Sequence, residues 1–250
     1  MTAIRITVAR TAGSAPRDAG TRMLVRADGT IGTIGGGALE WQAMRDARAM
    51  LADGRTHLTR TIPLGPGLGQ CCGGSVTLTW ERADTLDEPA GAPLWIWGAG
   101  HVGAALARVV APHPAHDVTL IDARADILPD IVGVTPVHAA RPDTLARHAP
   151  TDADHIVATH DHATDLALCH ALLSHDFASL GLIGSATKRA RFRQRLSALG
   201  HAPEQIARIA CPIGDPSLGK HPQALAVGVA AVLMGPRDRM DRARHREDTG

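Results

Sequence analysis

A short apolar strand, 94–97, runs directly into Gly98-Ala-Gly100-His-Val-Gly103 and then into a helical stretch at 102–110. This spacing constrains the fold more than any other feature of the chain. Glycines at these positions permit a tight turn and let an anionic group come close to the backbone. The helix start then offers free N–H groups and a partial positive charge. The surrounding rhythm agrees. Strands are expected at 94–97, 118–121, 134–137, 156–159 and 180–183, with helices at 102–110, 164–173 and 187–199. Strands alternating with helices of this length indicate a parallel sheet covered on both faces. Pro222 is placed to open a last helix, ending near Gly235-Pro236.

The first 80 or so residues have a different pattern. Strands are expected at 4–8, 23–26, 30–34, 57–62 and 76–81, with one helix at 38–51 ended near Asp53-Gly54. The fold class is therefore α/β: a small N-terminal α+β domain over 1–86, followed by a parallel-sheet domain over 93–235. Residues 87–93 read as a linker, and 236–250 as a charged, disordered tail.

Composition narrows the function. The net charge of the 250-residue chain is +1, so nothing pulls it globally toward nucleic acid or a membrane. With no tyrosine and two phenylalanines, stacking on bases is not an expected mode of action. The start, Met1-Thr-Ala-Ile-Arg5, lacks the apolar core of a signal peptide, and no apolar run reaches the length of a membrane span. Four cysteines, two of them adjacent, form no disulfide framework, so a reducing compartment, the cytoplasm, is expected.

Five segments carry candidate chemistry. Gly67-Leu-Gly69-Gln70-Cys71-Cys72-Gly73-Gly74 presents two thiols among glycines, which suits an exposed loop offering sulfur to a soft atom or an electrophile. In the Gly98 loop, Gly98, Gly100, His101 and Gly103 face an anion, and Asp122 ends the next strand where a ribose or diol hydroxyl would be read. Arg124 could add an anion contact. Gly32-Thr-Ile-Gly35-Gly36-Gly37 repeats the same strand-to-helix turn, with Arg17 as a nearby charge; it is either a second backbone cradle, at Gly36 and Gly37, or a plain tight turn. Thr159-His160-Asp161-His162 closes a strand at its carboxyl end, either as proton carriers, ligands and donors or as a helix N-cap and turn. In Gly184-Ser185-Ala-Thr187-Lys188-Arg189, Ser185 could cap a helix while Lys188 and Arg189 meet a phosphate. Arg191, Arg193 and Arg195 extend that basic run, as a solvated face or a protein-docking surface. Cys169 and Cys211 are structural.

Taken together and in order, the chain resembles the XdhC/CoxI family of xanthine dehydrogenase accessory proteins. The resemblance is carried by Gly13-Ser-Ala-Pro-Arg17, Gly32 to Glu40, Gly69-Gln-Cys-Cys-Gly-Gly74, Trp97 to Gly103, Thr159 to His162, Gly184 to Arg189 and Pro212-Ile-Gly214. It spans roughly residues 4–235. Family members usually begin with an extra helix, whereas this chain starts almost at the first strand. The resemblance implies an XdhC/CoxI domain joined to a Rossmann domain, and a non-enzymatic carrier of the molybdenum cofactor. Such a carrier binds molybdopterin, protects it during sulfuration and inserts it into apo-xanthine dehydrogenase. Implied partners are that enzyme, a cysteine desulfurase and a second copy of the chain.

The residue-level reading is compatible with that role. Glycine-rich helix starts suit the cofactor's phosphate, and Cys71 or Cys72 suits its molybdenum, with the guest expected between the two domains. Two other readings stay open. An NAD(P)-dependent oxidoreductase would use the Gly98 loop and Asp122 for the nucleotide and His160 as acid–base residue. A sulfurtransferase would carry a persulfide on Cys71 or Cys72.

Overall fold

The computed structural model describes residues 3–65, 73–86 and 91–235. The chain divides into two compact units, Met1–Pro89 and Ala90–Gly250. The expected tail at 236–250, and the segment carrying Gln70, Cys71 and Cys72, lie outside the described residues.

The N-terminal unit is one antiparallel sheet with one helix on it. Its elements are β1 (Ala3–Ala12), β2 (Arg22–Val25), β3 (Thr30–Gly32), α1 (Gly37–Asp53), β4 (His57–Pro63) and β5 (Ser75–Ala83). The strand order is β3-β2-β1-β5-β4. Alternation on β1 sends Ile4, Ile6 and Val8 to the core. α1 answers with Leu39, Ala43, Ala47 and Met50, an i, i+4, i+8, i+11 stripe that makes one buried face. The small Ala43 leaves room for Trp80 on β5, whose indole N–H donates to the Ala43 carbonyl at 3.0 Å. Gly54 ends α1 in the left-handed conformation, returning its N–H to the Met50 carbonyl. The edge strand β4 of the sheet is largely exposed and polar.

The C-terminal unit is a six-stranded, fully parallel sheet. It comprises β6 (Ala92–Trp97), α2 (His101–Val110), β7 (His116–Asp122), β8 (Val134–His138), α3 (Pro142–Leu145), β9 (Asp154–Val157), α4 (His162–Leu173), β10 (Ser179–Leu182), α5 (Ala186–Ala198), α6 (Pro203–Ile206), β11 (Ile209–Ala210) and α7 (Pro222–Leu233). The order is β11-β10-β9-β6-β7-β8. Both faces are covered, as the continuous apolar strands require. On β6, Leu94 and Ile96 face a layer with Leu106 and Val110 of α2 and Val229 of α7. Trp95 and Trp97 face the other layer, with Leu168 and Leu172 of α4 and Phe192 and Leu196 of α5.

The chain leaves β6 toward β7 and β8 on one side, then returns to place β9 on the other. The carboxyl ends of β6 and β9 therefore border a topological switch point, where open α/β sheets leave a crevice for ligands. Two short helices, α3 and α6, and the two-residue strand β11 are absent from the sequence-based expectation. Four residues or fewer carry too little periodicity to be read. No described helix is long and apolar enough to cross a membrane.

Candidate functional site

The crevice at the switch point is built from the Gly98 loop. Gly98 holds a φ of 114°, and a Cβ there would lie 2.5 Å from the Ala158 carbonyl oxygen. At Gly103 a Cβ would lie 1.8 Å from the Gly98 oxygen, so the helix start can pack against its own strand only as glycine. Gly100 differs. Its backbone is extended, and a Cβ would meet nothing within 4 Å, so it borders open space. Gly100 is the N-cap of α2 and supplies no side-chain cap. The first-turn N–H groups of α2 thus face a cavity of about 860 Å³. His101, Arg108, Arg124, His160 and the start of α7 at His221 and Pro222 also line it.

The Asp122 carboxylate organises the loop. Oδ2 accepts from the Ala99 N–H at 2.8 Å, and Oδ1 accepts from the Arg124 N–H at 2.9 Å and its Nε at 3.2 Å. Burial alone would raise this carboxyl. The Arg124 side chain and the two backbone donors outweigh it and hold the group below its ordinary value. Arg124 is correspondingly fixed along the cavity wall.

At Gly36 and Gly37, Glu40 from the first turn of α1 folds back over the turn. Its Oε2 accepts from the N–H groups of Ile34 at 3.0 Å and Gly36 at 3.1 Å, and also from the Thr33 hydroxyl. Burial pushes this carboxyl up, but those bonds pull it below its usual value. A carboxylate therefore already sits beside this helix start, where it complements the macrodipole.

The loop after β9 holds the third set. Asp161 is the N-cap of α4, its Oδ2 accepting from the N–H and hydroxyl of Thr164, both at 2.7 Å. The Thr164 hydroxyl is the leading cause of its lowered pKa. His160 is exposed and stands between two cavities, the one above and a second of about 530 Å³ that Thr159, Ser185, Lys188, Arg191 and Arg195 also line. Ser185 caps α5, accepting from the Lys188 N–H at 3.2 Å.

The Lys188 ammonium is engaged within the fold. It donates to Asp165 Oδ2 at 2.5 Å and to the Ile183 carbonyl at 2.9 Å, with the side chains 11% and 0% exposed. Asp165 Oδ1 accepts from the Thr159 N–H at 3.1 Å and hydroxyl at 2.6 Å. This buried pair ties the loops after β9 and β10 together. Sequence reasoning missed Asp165, although an acid on the apolar side of α4, four residues after an N-cap Asp, was a usable signal. It missed Glu40 as a plug, and Arg108 and His221 as cavity wall. Arg189 is half-buried on α5. Cys169 is buried, and burial drives its thiol pKa well up, while Cys211 is likewise buried.

Among solved structures, the fold is shared with a Bacillus halodurans protein described as a xanthine dehydrogenase. The TM-score is 0.77 at 17% identity, covering 100% of this chain and 94% of that one. Among curated proteins, the chain is 29% identical over 229 residues to the uncharacterized protein YqeB of Escherichia coli (strain K12). That match takes in 89% of this chain but 41% of YqeB, so the chain spans about two fifths of that relative's length. Residues 94–233 match the model of the XdhC Rossmann domain, and residues 2–62 that of the XdhC and CoxI family. With the parallel sheet, its glycine loop and both family models in register along the sequence, the chain belongs to the XdhC and CoxI family.

Proposed function

We propose that this protein is an accessory factor for xanthine dehydrogenase, and that it carries the molybdenum cofactor to the cofactor-free enzyme. Family membership supports the accessory role. The observation that carries the cofactor reading is the uncapped start of α2, open to a cavity of about 860 Å³ with Arg108 and Arg124 in its wall. Molybdopterin ends in a phosphate, and this donor set fits one: backbone N–H groups at a helix start, glycines that allow close approach, and two guanidinium groups. In this reading, the first turn of α2 and Arg124 hold the phosphate, while Asp122 keeps the loop and Arg124 in place. His101 and His160 line the remaining space for the pterin.

The bound group would supply the molybdenum centre that the dehydrogenase uses; the chain's own task is to bind, shield and release it. The pair Cys71-Cys72 is the proposed soft donor to the metal. A cysteine desulfurase is the proposed sulfur source. The alternative of an NAD(P)-dependent oxidoreductase is less well supported. A dinucleotide enzyme needs a carboxylate free to accept from ribose, and both oxygens of Asp122 are already engaged.

The test is direct. Protein purified from molybdenum-replete cells should release a pterin that fluoresces after oxidation, and should reactivate cofactor-free xanthine dehydrogenase. Replacing Cys71 and Cys72 by alanine should lower the retained pterin with the fold intact. Release of a nicotinamide absorbance without any pterin would overturn the reading.

A further inference from the structure

Helix α5 breaks a local rule that the other long helices keep or leave alone. Over Ala186–Ala198 it carries Lys188, Arg189, Arg191, Arg193 and Arg195, with no acidic residue in its first turn. Cations near a helix N-terminus oppose the macrodipole. Arg189 with Arg193, and Arg191 with Arg195, are like-charge pairs four residues apart, which repel. Asp165 compensates Lys188 within the fold, but Arg191, Arg193 and Arg195 make no ion pair among the described residues, and that uncompensated charge points to an external contact.

The arrangement of the charges says what kind. At about 100° per residue, Arg189 and Arg193 share one flank of the helix and Arg191 and Arg195 the opposite flank. Phe192 and Leu196 point into the core. The crest between the flanks is small and uncharged: Thr187, Ala190, Gln194 and Ser197, all exposed. The side chains of Arg189, Arg191 and Arg193 stand up around that floor and enclose a surface cleft of about 660 Å³. Lys188 is excluded from the set because Asp165 holds it. Among the described residues, Arg191, Arg193 and Arg195 make no ion pair.

We propose that this arginine-walled cleft on α5 is a docking surface for an acidic segment of a partner protein, the segment lying along the crest with its carboxylates gripped from both flanks. The two rows of guanidinium groups are too far apart in direction to converge on a single small anion. They match carboxylates in bidentate geometry along an extended partner. The floor offers no aromatic ring on which a base could stack, which favours protein over nucleic acid. The inference rests on the proposed accessory role in taking cofactor-free xanthine dehydrogenase as the partner that carries the acidic segment.

The experiment uses the full chain and cofactor-free xanthine dehydrogenase as the probe, with binding followed by surface plasmon resonance at low and high salt. Wild-type affinity should fall as salt rises. R191E/R193E/R195E should weaken binding about a hundredfold at low salt and flatten the salt dependence. R191Q/R193Q/R195Q, which only removes charge, covers the case in which charge reversal prevents folding, and should weaken binding by about tenfold or more. Circular dichroism and urea unfolding should show both variants folded. Wild-type-like binding by either folded variant would overturn the proposal. So would arginine-dependent binding to single-stranded RNA with dehydrogenase binding unaffected, or failure of the wild-type chain to bind the dehydrogenase. Retained pterin is measured on the same samples. Normal retention with failed docking sinks the docking surface alone, whereas absent retention sinks the cofactor reading.

Discussion

Two glycine-rich turns in this molecule lead from a strand into a helix, one at Gly35-Gly36-Gly37 in the antiparallel unit and one at Gly98 to Gly103 in the parallel unit. Both begin with glycine at positive φ, Gly35 at 127° and Gly98 at 114°. In the first, the Glu40 carboxylate lies over the turn and accepts from the Ile34 and Gly36 N–H groups. In the second, the nearest carboxylate, Asp122, bonds to Ala99 at the edge of the turn and leaves the first turn of α2 facing a cavity. The lesson is that glycine spacing marks where a backbone anion site can be built, while a neighbouring acid decides whether the fold consumes it. Asp161 and Ser185 cap their own helices with side chains, whereas Gly36 and Gly100 supply no side-chain cap, so at the two glycine turns the neighbouring acid makes the difference.

The hardest way to break this contrast is at Lys188. If its ion pair with Asp165 is structural, Lys188→Met leaves a carboxylate buried without its counter-charge and should cost about 3–5 kcal/mol in urea unfolding. A ligand-binding lysine would behave differently, losing pterin retention with stability unchanged.

Next in size is Glu40→Ala. Removing an acceptor shared by two backbone N–H groups and a hydroxyl should cost about 1–2 kcal/mol of unfolding free energy. It should also expose donors at Gly36 that resemble those at Gly100. Phosphate should then stabilise the variant more than the wild type, which gains only from the turn at Gly100. Equal phosphate effects on both proteins would mean that Glu40 does not plug the turn.

The two sheets differ in burial as well, and pH reads that difference. The parallel sheet is sandwiched between helices, and His155 on β9 sits in its interior at 0% exposure. Its Nδ1 accepts from the Trp97 indole N–H at 3.2 Å, while Nε2 has no partner among the described residues. Burial pushes its pKa down to about 3. The unfolded chain takes up a proton near 6.5 while the folded chain refuses it until about pH 3. The stability this contributes is therefore complete above pH 6.5 and drains away as pH falls from 6.5 toward 3. At pH 5.5 the loss should be about 1.4 kcal/mol. His155→Phe should remove that part of the acid limb, leaving the smaller contributions of His116 and His201, whose pKa values burial also lowers. An unchanged acid limb would place His155 in contact with water.

Much of this was legible in the sequence, and the reason is local. Trp95 and Trp97 alternating with Leu94 and Ile96 announce a strand buried on both faces, and the glycine spacing after it needs only six residues to be read. What was not legible depends on distance or direction. Asp165 and Lys188 are 23 residues apart, and nothing along the chain says that they meet. Glu40 looks like an ordinary surface acid in a first helical turn, and only its backward fold makes it a plug. Asp122 was found by spacing, but the direction of its oxygens, toward Ala99 and Arg124 and not toward a guest, is a property of the folded turn. The arginines of α5 were visible as a run; their division into two walls around a small-residue floor requires the helix.

The smallest predicted change in stability is also the sharpest test of the open turn. Gly100 and Gly103 lie three residues apart in one motif and should respond in opposite ways to alanine. At Gly103 the new Cβ has no room, so a folded variant must move the loop off its strand. At Gly100 the backbone is already extended and the Cβ meets open space, so Gly100→Ala should cost only about 0.5–1 kcal/mol, the difference between these residues at an N-cap. That added methyl nevertheless occupies the approach to the first-turn donors of α2. Retained pterin should fall in this variant while its urea midpoint stays near that of the wild type. If retention stays at the wild-type level, the anion does not sit on this turn, and the difference between the filled and the open glycine turn has no functional meaning.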